Sequence, residues 1–288
     1  MNMGKIAIVT DSNSGITQEE GKQMGVFVLP MPFVIQEEEY FEDINLTQEA
    51  FYEKLEDSVD VSTSQPSIDS LTALWDQVLE EYDALIYIPM SSSLSGSCQT
   101  AMMLAGDYEG RVYVVDNQRI SITQRNAVED ALEMVKAGKN CSDICEALMQ
   151  TKLEASIYIM VDTLKYLRKG GRLTPAAAAL GTILRIKPVL QIQGEKLDTF
   201  GKARTTKQGV NLMLEALKKD VEQRFDSDLE QLHFGVVHSQ NATGAEDLKA
   251  QIQAIYPGVE VEVNPLSLSV SCHIGPGALA VAVAKKAQ

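Results

Sequence analysis

The sequence has few of the groups that bind metals or form disulfide frameworks. Its four cysteines, Cys98, Cys141, Cys145 and Cys272, do not form Cys-x-x-Cys pairs, and the chain contains only three histidines. Structural zinc sites usually combine such pairs with histidines at short spacings. We therefore expect four thiols in a reducing compartment, no metal site and no cofactor; a zinc site is the less favoured alternative.

Basic residues are also scarce. The chain has 25 lysines and arginines against 40 aspartates and glutamates, which gives a formal net charge of −15. A charge of this sign repels the phosphates of nucleic acids and the surface of anionic membranes. The composition therefore excludes nucleic acid as an expected partner.

No stretch has the pattern of a membrane span or a leader peptide. The longest apolar run, residues 173–192, is interrupted by Arg185, Lys187 and Pro188, so a transmembrane segment is not expected. Residues 1–10 have a strand pattern instead of a basic segment followed by an apolar one. With 288 residues, 45% of them hydrophobic, we expect a cytoplasmic protein large enough for two domains.

Motifs of two enzyme classes are absent as well. The sequence has no Gly-x-x-x-x-Gly-Lys-Ser/Thr loop of a nucleotide kinase. The segment Ser-Leu-Ser-Gly at 93–96 lacks the first glycine of the Gly-x-Ser-x-Gly elbow of α/β hydrolases. A serine, a histidine and an aspartate chosen without geometry do not define a triad. We therefore do not predict an enzyme.

The first half of the chain alternates strand and helix patterns. Apolar runs at 6–10, 26–29, 84–88 and 112–115 predict strands, and Thr17 with Glu20 forms a capping box for the first helix. Polar loops follow three of these strands, at the edge where an open parallel sheet binds ligands. These patterns predict an N-terminal α/β domain with a parallel sheet, residues 1–157.

The character of the sequence changes after residue 156. A hairpin turn is predicted at Gly194-Glu195, and strands are predicted at 157–161, 189–192, 232–237 and 259–263. The alanine-rich end that follows Gly275-Pro276-Gly277 favours a last helix that could pack back on the first domain. We predict a second, α+β domain over residues 158–288.

A basic corner precedes an apolar, small-residue segment in this second domain. Gly170 and Gly171 permit a sharp turn between basic side chains, and Thr174 and Pro175 suit the cap and first position of a helix. The predicted helix, 176–186, is rich in alanine and glycine, so that another group could approach closely. A polar corner beside such a wall suits an amphiphile, although core packing is the alternative.

Six short motifs occur in order along the chain: Thr10-Asp11-Ser12, Ser62-Thr63-Ser64-Gln65-Pro66, Ser92-Ser93-Leu94-Ser95-Gly96, Lys169-Gly170-Gly171-Arg172 leading to Ile186-Lys187-Pro188, Ala203-Arg204-Thr205, and His273-Ile274-Gly275-Pro276-Gly277. With these motifs the whole sequence resembles the DegV family, whose best-understood members are the fatty-acid-binding subunits of bacterial fatty acid kinase. The resemblance implies two α/β domains with an acyl chain in a tunnel between them.

The resemblance also implies which residues bind the ligand. The hydroxyls expected to hold the carboxylate are those of Thr63 and Ser95, and the other residues expected to bind the ligand are Gly96, Arg172, Arg204 and His273. The two arginines could neutralise either the carboxylate or an incoming phosphate. Asp11, Ser12 and Ser64 are expected to order the tunnel mouth without touching the ligand, and Ala178, Gly181 and Ile183 are expected in the tunnel wall. One departure is Ser93, where some members that work with a kinase have glycine; this bears on the choice of partner.

Each of these residues also has a structural interpretation. Serines at 91–97 are typical of helix caps and turns, and arginines are most often solvated at the surface. His273 could have a structural role only. For the serine at 95 the resemblance favours a contact with the ligand, whereas Ser91, Ser92 and Ser97 are expected to serve the turn.

Three functions follow as alternatives. The first is a lipid carrier that buries a long-chain fatty acid and presents its carboxylate to a separate ATP-binding fatty acid kinase. The resemblance implies that the acyl phosphate product then supplies phospholipid synthesis. The second is an enzyme that acts on a small molecule or an acyl ester in the same pocket, and the third is a regulatory interaction module.

Overall fold

The computed structural model describes residues 4–56, 60–179, 186–194 and 196–288. The elements of the first part of the chain are β1 (Ile6–Asp11), α1 (Gln18–Met24), β2 (Val26–Leu29), β3 (Pro32–Ile35), β4 (Glu38–Phe41), α2 (Gln48–Glu56), β5 (Val61–Thr63), α3 (Ile68–Leu79), β6 (Ala84–Ile88), α4 (Ser97–Ala105), β7 (Val112–Val114), α5 (Ile122–Lys136) and α6 (Cys141–Gln150). The remaining elements are β8 (Ala155–Met160), α7 (Lys165–Gly170), α8 (Pro175–Ala179), β9 (Lys187–Ile192), β10 (Asp198–Ala203), α9 (Thr206–Gln223), β11 (Leu232–His238), α10 (Ala242–Ile255), β12 (Val261–Pro265), α11 (Leu268–Ile274) and β13 (Leu279–Lys285).

The first domain is built on a parallel sheet in the order β2-β1-β6-β7. Its strands are apolar on both faces because helices cover both. Ile8 and Ile86 pack towards α5 and α6, whereas Val9 and Leu85 pack against α3, with Trp75 at the centre of that cluster. The capping box of Thr17 and Glu20 is formed at the start of α1, as predicted.

The second domain is built on a mixed sheet in the order β10-β9-β8-β13-β11-β12. All neighbours are antiparallel except β11 and β12, and the predicted hairpin is the antiparallel pair β9 and β10. Alternation along β8 divides the core: Ile157 and Ile159 face one hydrophobic cluster, and Tyr158 and Met160 face the other, which holds α9 and α10. Helix α5 contacts both large sheets and lies between them.

A small antiparallel sheet, β4-β3-β5, completes the first domain. Residues 61–63, which include the start of the Ser62–Pro66 motif, form β5, and Phe33 of β3 pairs with Thr63. Phe33 and Phe51 pack there against Leu268 and Cys272 of α11. This helix, which no sequence pattern predicts, therefore contacts the first domain although it lies near the end of the chain.

The predicted final helix is wrong. Residues 279–285 form β13, which lies between β8 and β11 in the middle of the mixed sheet. Alanine favours helix locally, but Val281 and Val283 alternate with Ala280 and Ala282, and each set faces a different core cluster. Burial on both faces of a sheet outweighs that local preference. The chain end still reaches the first domain, because the Ala287 amide donates to Asp130 of α5 at 2.8 Å.

In the ranges that the structure describes, no helix is both long and apolar enough to cross a membrane. The same ranges contain no group of three or more histidine, cysteine or acidic side chains arranged to hold a metal ion. The four cysteines are thiols, and three of them are buried. The predicted boundary between residues 157 and 158 falls inside β8 and remains a prediction.

Candidate functional site

A cavity lies between the two large sheets and opens beside the small one. The empty space of the cavity, counted together with the open solvent at its mouth, is about 990 Å³. Side chains of both domains form its apolar wall, among them Met90 and Leu94 from the first domain and Ile157, Ile159 and Val237 from the second. The wall belongs to the hydrophobic cluster on one face of the mixed sheet.

Five of the six residues predicted to bind the ligand line this one cavity: Thr63, Ser95, Gly96, Arg172 and His273. They come from four separate parts of the chain. Thr63 ends β5, Ser95 and Gly96 precede α4, Arg172 follows α7, and His273 lies in α11. The fold therefore brings the dispersed motifs together at one mouth.

Thr63 and His273 are in direct contact. The Thr63 Oγ1 atom lies 2.8 Å from Nε2 of His273. Burial, together with the nearby Arg172 guanidinium, lowers the pKa of His273 to about 4. The imidazole is therefore neutral near pH 7, and one of its two nitrogens carries a proton.

Steric constraints explain why two glycines, Gly170 and Gly171, precede Arg172. A Cβ atom on Gly170 would overlap the ring of His273, and Gly171 has φ of 68° at the end of α7. Glycine accepts both conditions without a penalty. The turn brings Arg172 to the cavity, where its Nε donates to the Leu94 carbonyl at 3.3 Å and its Nη1 donates to the Gly170 carbonyl.

Ser95 lies in the turn between β6 and α4. Its Oγ accepts a hydrogen bond from the Ser97 amide at 3.2 Å, which leaves the hydroxyl proton available for an acceptor in the cavity. Gly96 is the cap residue of α4 and has no side chain to satisfy the first amides of that helix. Ser91 and Ser92 serve the turn as expected, because they bond to the Ser93 amide and to Asp116 respectively.

A second, outer cavity adjoins the first at this mouth. Thr63, Arg172 and His273 line both cavities, and Lys165 and Lys169 of α7 line only the outer one. Lys169 is paired with the exposed Asp60. Three cations and one anion, Asp60, therefore line the outer cavity, although the whole chain is acidic.

The structure does not bring Arg204 to this site. Arg204 is exposed beside the cap of α9, and its amide donates to Gln208 at 2.9 Å. It does not line either cavity at the mouth. The alternative of a solvated surface arginine fits its position, since α9 packs on the face of the mixed sheet away from the cavity.

The predicted tunnel wall is only partly described. Gly181 and Ile183 lie outside the described residues. Thr174 caps α8 as predicted, since its Oγ1 accepts from the Ala177 amide at 3.2 Å. Ala178 does not line the cavity, whereas the neighbouring Ala177 is fully buried in the cavity-side cluster. Adjacent residues of a helix differ by about 100° in direction, so only one of them can face the core.

The three residues expected to order the mouth occupy different positions. Asp11 is fully buried behind the cavity and accepts hydrogen bonds from Asn13, Gln124 and the Met90 amide. Burial raises the pKa of its carboxyl, against the effect of these donors. Ser12 accepts a bond from the amide of Met31, a wall residue, at 3.0 Å. Ser64 lines the cavity itself, contrary to the expectation that it would not reach it.

Glu42 supports the helix that carries His273. Its Oε2 accepts from the Leu268 amide at the start of α11 at 2.7 Å, and its Oε1 accepts from Gln48. Burial raises the pKa of Glu42 to about 7. A carboxylate is well placed at a helix start because the first amides there have no partner within the helix.

Several lining residues were not predicted. The polar ones are Asn13, Gln65, Ser121 and Ser269, and the apolar ones include Ile157, Ile159 and Val237. The alternation Ile157-Tyr158-Ile159 could have indicated two differently covered faces. No local pattern shows that Asn13 and Ser269 lie together, although Ser269 Oγ donates to Asn13 Oδ1 at 2.7 Å.

The fold and the site define a two-domain α/β protein with an apolar cavity between its sheets and polar groups at the mouth. Residues 5–286 match the family described as "Uncharacterised protein, DegV family", and the chain belongs to the DegV family. It is 32% identical over 279 residues to Protein DegV of Bacillus subtilis (strain 168), an alignment that covers 96% of this chain and 98% of the relative.

Solved structures of the family have the same fold. One is a DegV family protein from Thermus thermophilus described by its fatty acid binding, with a TM-score of 0.89, 28% identity and coverage of 98% of this chain and 99% of that one. Another is DegV from Bacillus subtilis, described as a fatty acid binding protein, with a TM-score of 0.86, 31% identity and coverage of 98% and 100%. Fatty acid binding is the described property of these two relatives.

Proposed function

We propose that this protein binds a long-chain fatty acid in the cavity between its domains. The observation that carries the proposal is the arrangement of two hydroxyl residues, Thr63 and Ser95, at the mouth of an apolar cavity. Hydroxyls donate hydrogen bonds to a carboxylate, and the apolar wall accepts a hydrocarbon tail. The fatty acid binding of the family's solved members supports the same ligand.

Tail and carboxylate contribute differently to binding. Burial of an alkyl chain contributes about 0.8 kcal/mol per methylene, or on the order of 10 kcal/mol for a long chain before the costs of association. Hydrogen bonds to a charged group contribute about 1.5–3 kcal/mol each. The tail therefore determines most of the affinity, and the carboxylate determines the orientation.

The Thr63–His273 contact suits this orienting role. A hydroxyl cannot donate to a ligand and to the imidazole at the same time, because it has one proton. When Nε2 of His273 carries the ring proton and donates to Thr63 Oγ1, the Thr63 proton is free for the carboxylate. We infer this tautomer in the complex, with Arg172 adding a positive charge at the mouth.

The same geometry favours a carrier over a hydrolase. In the part of the chain that the structure describes, no carboxylate bonds to the second ring nitrogen of His273, so the third group of a triad is missing there. A pKa of about 4 also makes this histidine a weak base. These points support a protein that holds the acid for chemistry performed by another.

We further propose that the partner is a cytoplasmic, ATP-binding fatty acid kinase, whose acyl phosphate product supplies phospholipid synthesis. Two cations of the outer cavity that are not paired with Asp60, Lys165 and Arg172, support this proposal. They would stabilise the phosphoryl group that forms on the carboxylate, since anions are stabilised by nearby cations. Arg204, on the outer surface, is available for contact with such a partner.

The experiment is extraction of the purified protein with organic solvent, followed by lipid identification by mass spectrometry. The proposal predicts about one fatty acid per chain, and no acyl phosphate when ATP is added without a kinase. The carrier function would be ruled out if the extract contains no long-chain fatty acid and the protein also binds none when a fatty acid is supplied. Release of free acid from an acyl ester by the protein alone would favour the enzyme instead.

A further inference from the structure

Ser121 is an unusual residue in the cavity wall. It is 4% exposed, it lines the cavity, and it immediately precedes α5. A serine in this position normally caps the helix, but the side chain of Ser121 makes no capping bond. Among the residues that the structure describes, its hydroxyl has no hydrogen-bond partner, so that a donor and acceptor is left for the cavity.

Two other polar residues of the cavity wall, Asn13 and Ser269, are already paired. Ser269 Oγ donates to Asn13 Oδ1 at 2.7 Å, and Asn13 Nδ2 donates to Asp11 at 2.9 Å. The backbone amide of Ser121 donates to the Asn13 carbonyl at 3.0 Å. Of these three side chains, only that of Ser121 keeps its full hydrogen-bonding capacity.

The backbone of Ser121 is also held in an unfavourable conformation. Its φ of 54° and ψ of −138° lie in a region that glycine adopts more readily than serine. Amides of Gln124 and Arg125 bond to its carbonyl and fix it there. Strained residues of this kind are concentrated at functional sites, where the surrounding structure maintains them. Serine occupies this position although glycine would be less strained, which indicates that the hydroxyl contributes to function.

We propose that Ser121 recognises an oxygen atom part-way along the acyl chain, so that the preferred ligand is a long-chain fatty acid with a mid-chain hydroxyl group. This inference rests on the proposed fatty acid binding. A plain saturated chain that fills the cavity leaves the serine hydroxyl unpaired, which is unfavourable for a buried polar group. A ligand hydroxyl both donates and accepts, as Ser121 does, and removes that penalty.

The test is competition binding with the delipidated full-length protein. Octadecanoic acid is compared with hydroxyoctadecanoic acids that carry the hydroxyl at successive mid-chain positions, and with cis-octadecenoic acid. We expect one hydroxylated isomer to bind about fivefold or more tightly than octadecanoic acid, the lower end of the effect of pairing a buried polar group. The preference should depend on position, because Ser121 lies at one level of the cavity.

Two variants assign the preference to the hydroxyl. Ser121→Ala and Ser121→Gly both remove it, and only the glycine variant also relieves the backbone. Both should lose the preference while they retain octadecanoic acid binding. Ser97→Ala is the matched control, because Ser97 is also 4% exposed and its Oγ also lacks a partner, but it does not line the cavity. This control should keep the preference.

The outcomes separate the two proposals. Binding of octadecanoic acid without preference for any hydroxylated isomer overturns this inference and leaves fatty acid binding intact. A preference for the cis-octadecenoic acid alone, or one that survives in both Ser121 variants, also overturns it. Failure to bind any of these acids overturns the proposed function and this inference together.

Discussion

The Thr63 hydroxyl and the His273 imidazole lie 2.8 Å apart although the residues are 210 positions apart in the chain. One belongs to the small sheet of the first domain and the other to α11, near the end of the chain. Tyr52 of α2 reinforces the same junction, because its hydroxyl donates to Ser271 at 3.0 Å. The mouth of the cavity therefore forms only when the two parts of the chain pack together.

Removal of either mouth hydroxyl should weaken fatty acid binding. Thr63→Val keeps the shape of the side chain, and Ser95→Ala removes only the oxygen. Each should raise the dissociation constant of hexadecanoic acid about 10- to 100-fold, since a hydrogen bond to a charged group contributes about 1.5–3 kcal/mol. Isothermal titration calorimetry on delipidated protein measures the effect.

Two controls accompany these variants. Thr72→Val changes an exposed hydroxyl of α3 that bonds within its own helix and should leave the dissociation constant unchanged. The methyl ester of hexadecanoic acid has no charged acceptor, so its weaker binding should respond less to Thr63→Val. Equal losses for acid and ester would mean that Thr63 does not hold the carboxylate.

His273 should make the protein less stable in mild acid. Its pKa is lowered from 6.5 to about 4 in the folded protein. Between these pH values the unfolded chain binds more protons than the folded one, so the free energy of unfolding falls as the pH falls. His273→Gln should remove about 2 kcal/mol of the decrease between pH 7 and pH 4.5, as measured by urea unfolding at constant salt.

Over part of this pH range, the titration of Glu42 changes the free energy of unfolding in the opposite direction. Its pKa is raised from 4.5 to about 7, so the folded protein binds more protons there and this contribution to stability falls as the pH rises. Because Glu42 is present in both proteins, the difference between native and His273→Gln isolates the histidine. Identical pH dependences of the two proteins would show that His273 is not desolvated in the fold.

Bulk added on the cavity face of β8 should block the tail. Ile159→Phe should raise the dissociation constant of hexadecanoic acid about tenfold or more, the equivalent of about two displaced methylenes. Met160→Phe is the matched control, since Met160 is the next residue but faces α9. Both changes overpack a core and cost about 1–3 kcal/mol of stability, but only the first should affect binding. Equal effects on binding would place the tail elsewhere.

Glycine at position 121 should be more stable than alanine. An L-residue at this φ and ψ carries about 1–3 kcal/mol of strain, against about 0.5–1 kcal/mol for the greater freedom of unfolded glycine. We expect Ser121→Gly to exceed Ser121→Ala by about 1 kcal/mol in the free energy of unfolding, measured with urea. The reverse order would indicate that the conformation of residue 121 is not strained.

The sequence was informative where local patterns determine the structure. The buried strand at 84–88 and the capping box of Thr17 and Glu20 depend on nearby residues, and both were predicted. The alanine-rich end was mistaken for a helix because its partners, β8 and β11, are distant in sequence. Helix propensity is a local quantity and does not contain those contacts.

The residues of the site also divide into those that local motifs identify and those that they do not. The motifs identified Thr63, Ser95, Arg172 and His273, which the fold brings to one mouth. They did not distinguish Arg172, which lines the cavity, from Arg204, which does not. The side of the mixed sheet on which each arginine lies depends on how the whole domain packs, and a short motif does not contain that information. Ser121 was not identified either, since its role depends on an absent capping bond and on a φ of 54°.

The most direct test of the account is the position of a bound ligand. A crystal structure of the protein with ω-bromohexadecanoic acid shows the bromine by its anomalous scattering and the carboxylate by its density. We predict the bromine inside the cavity against Ile157 and Ile159, and the carboxylate within hydrogen-bonding distance of Thr63 Oγ1 and Ser95 Oγ. A bromine on the outer surface, or a carboxylate away from both hydroxyls, would contradict it.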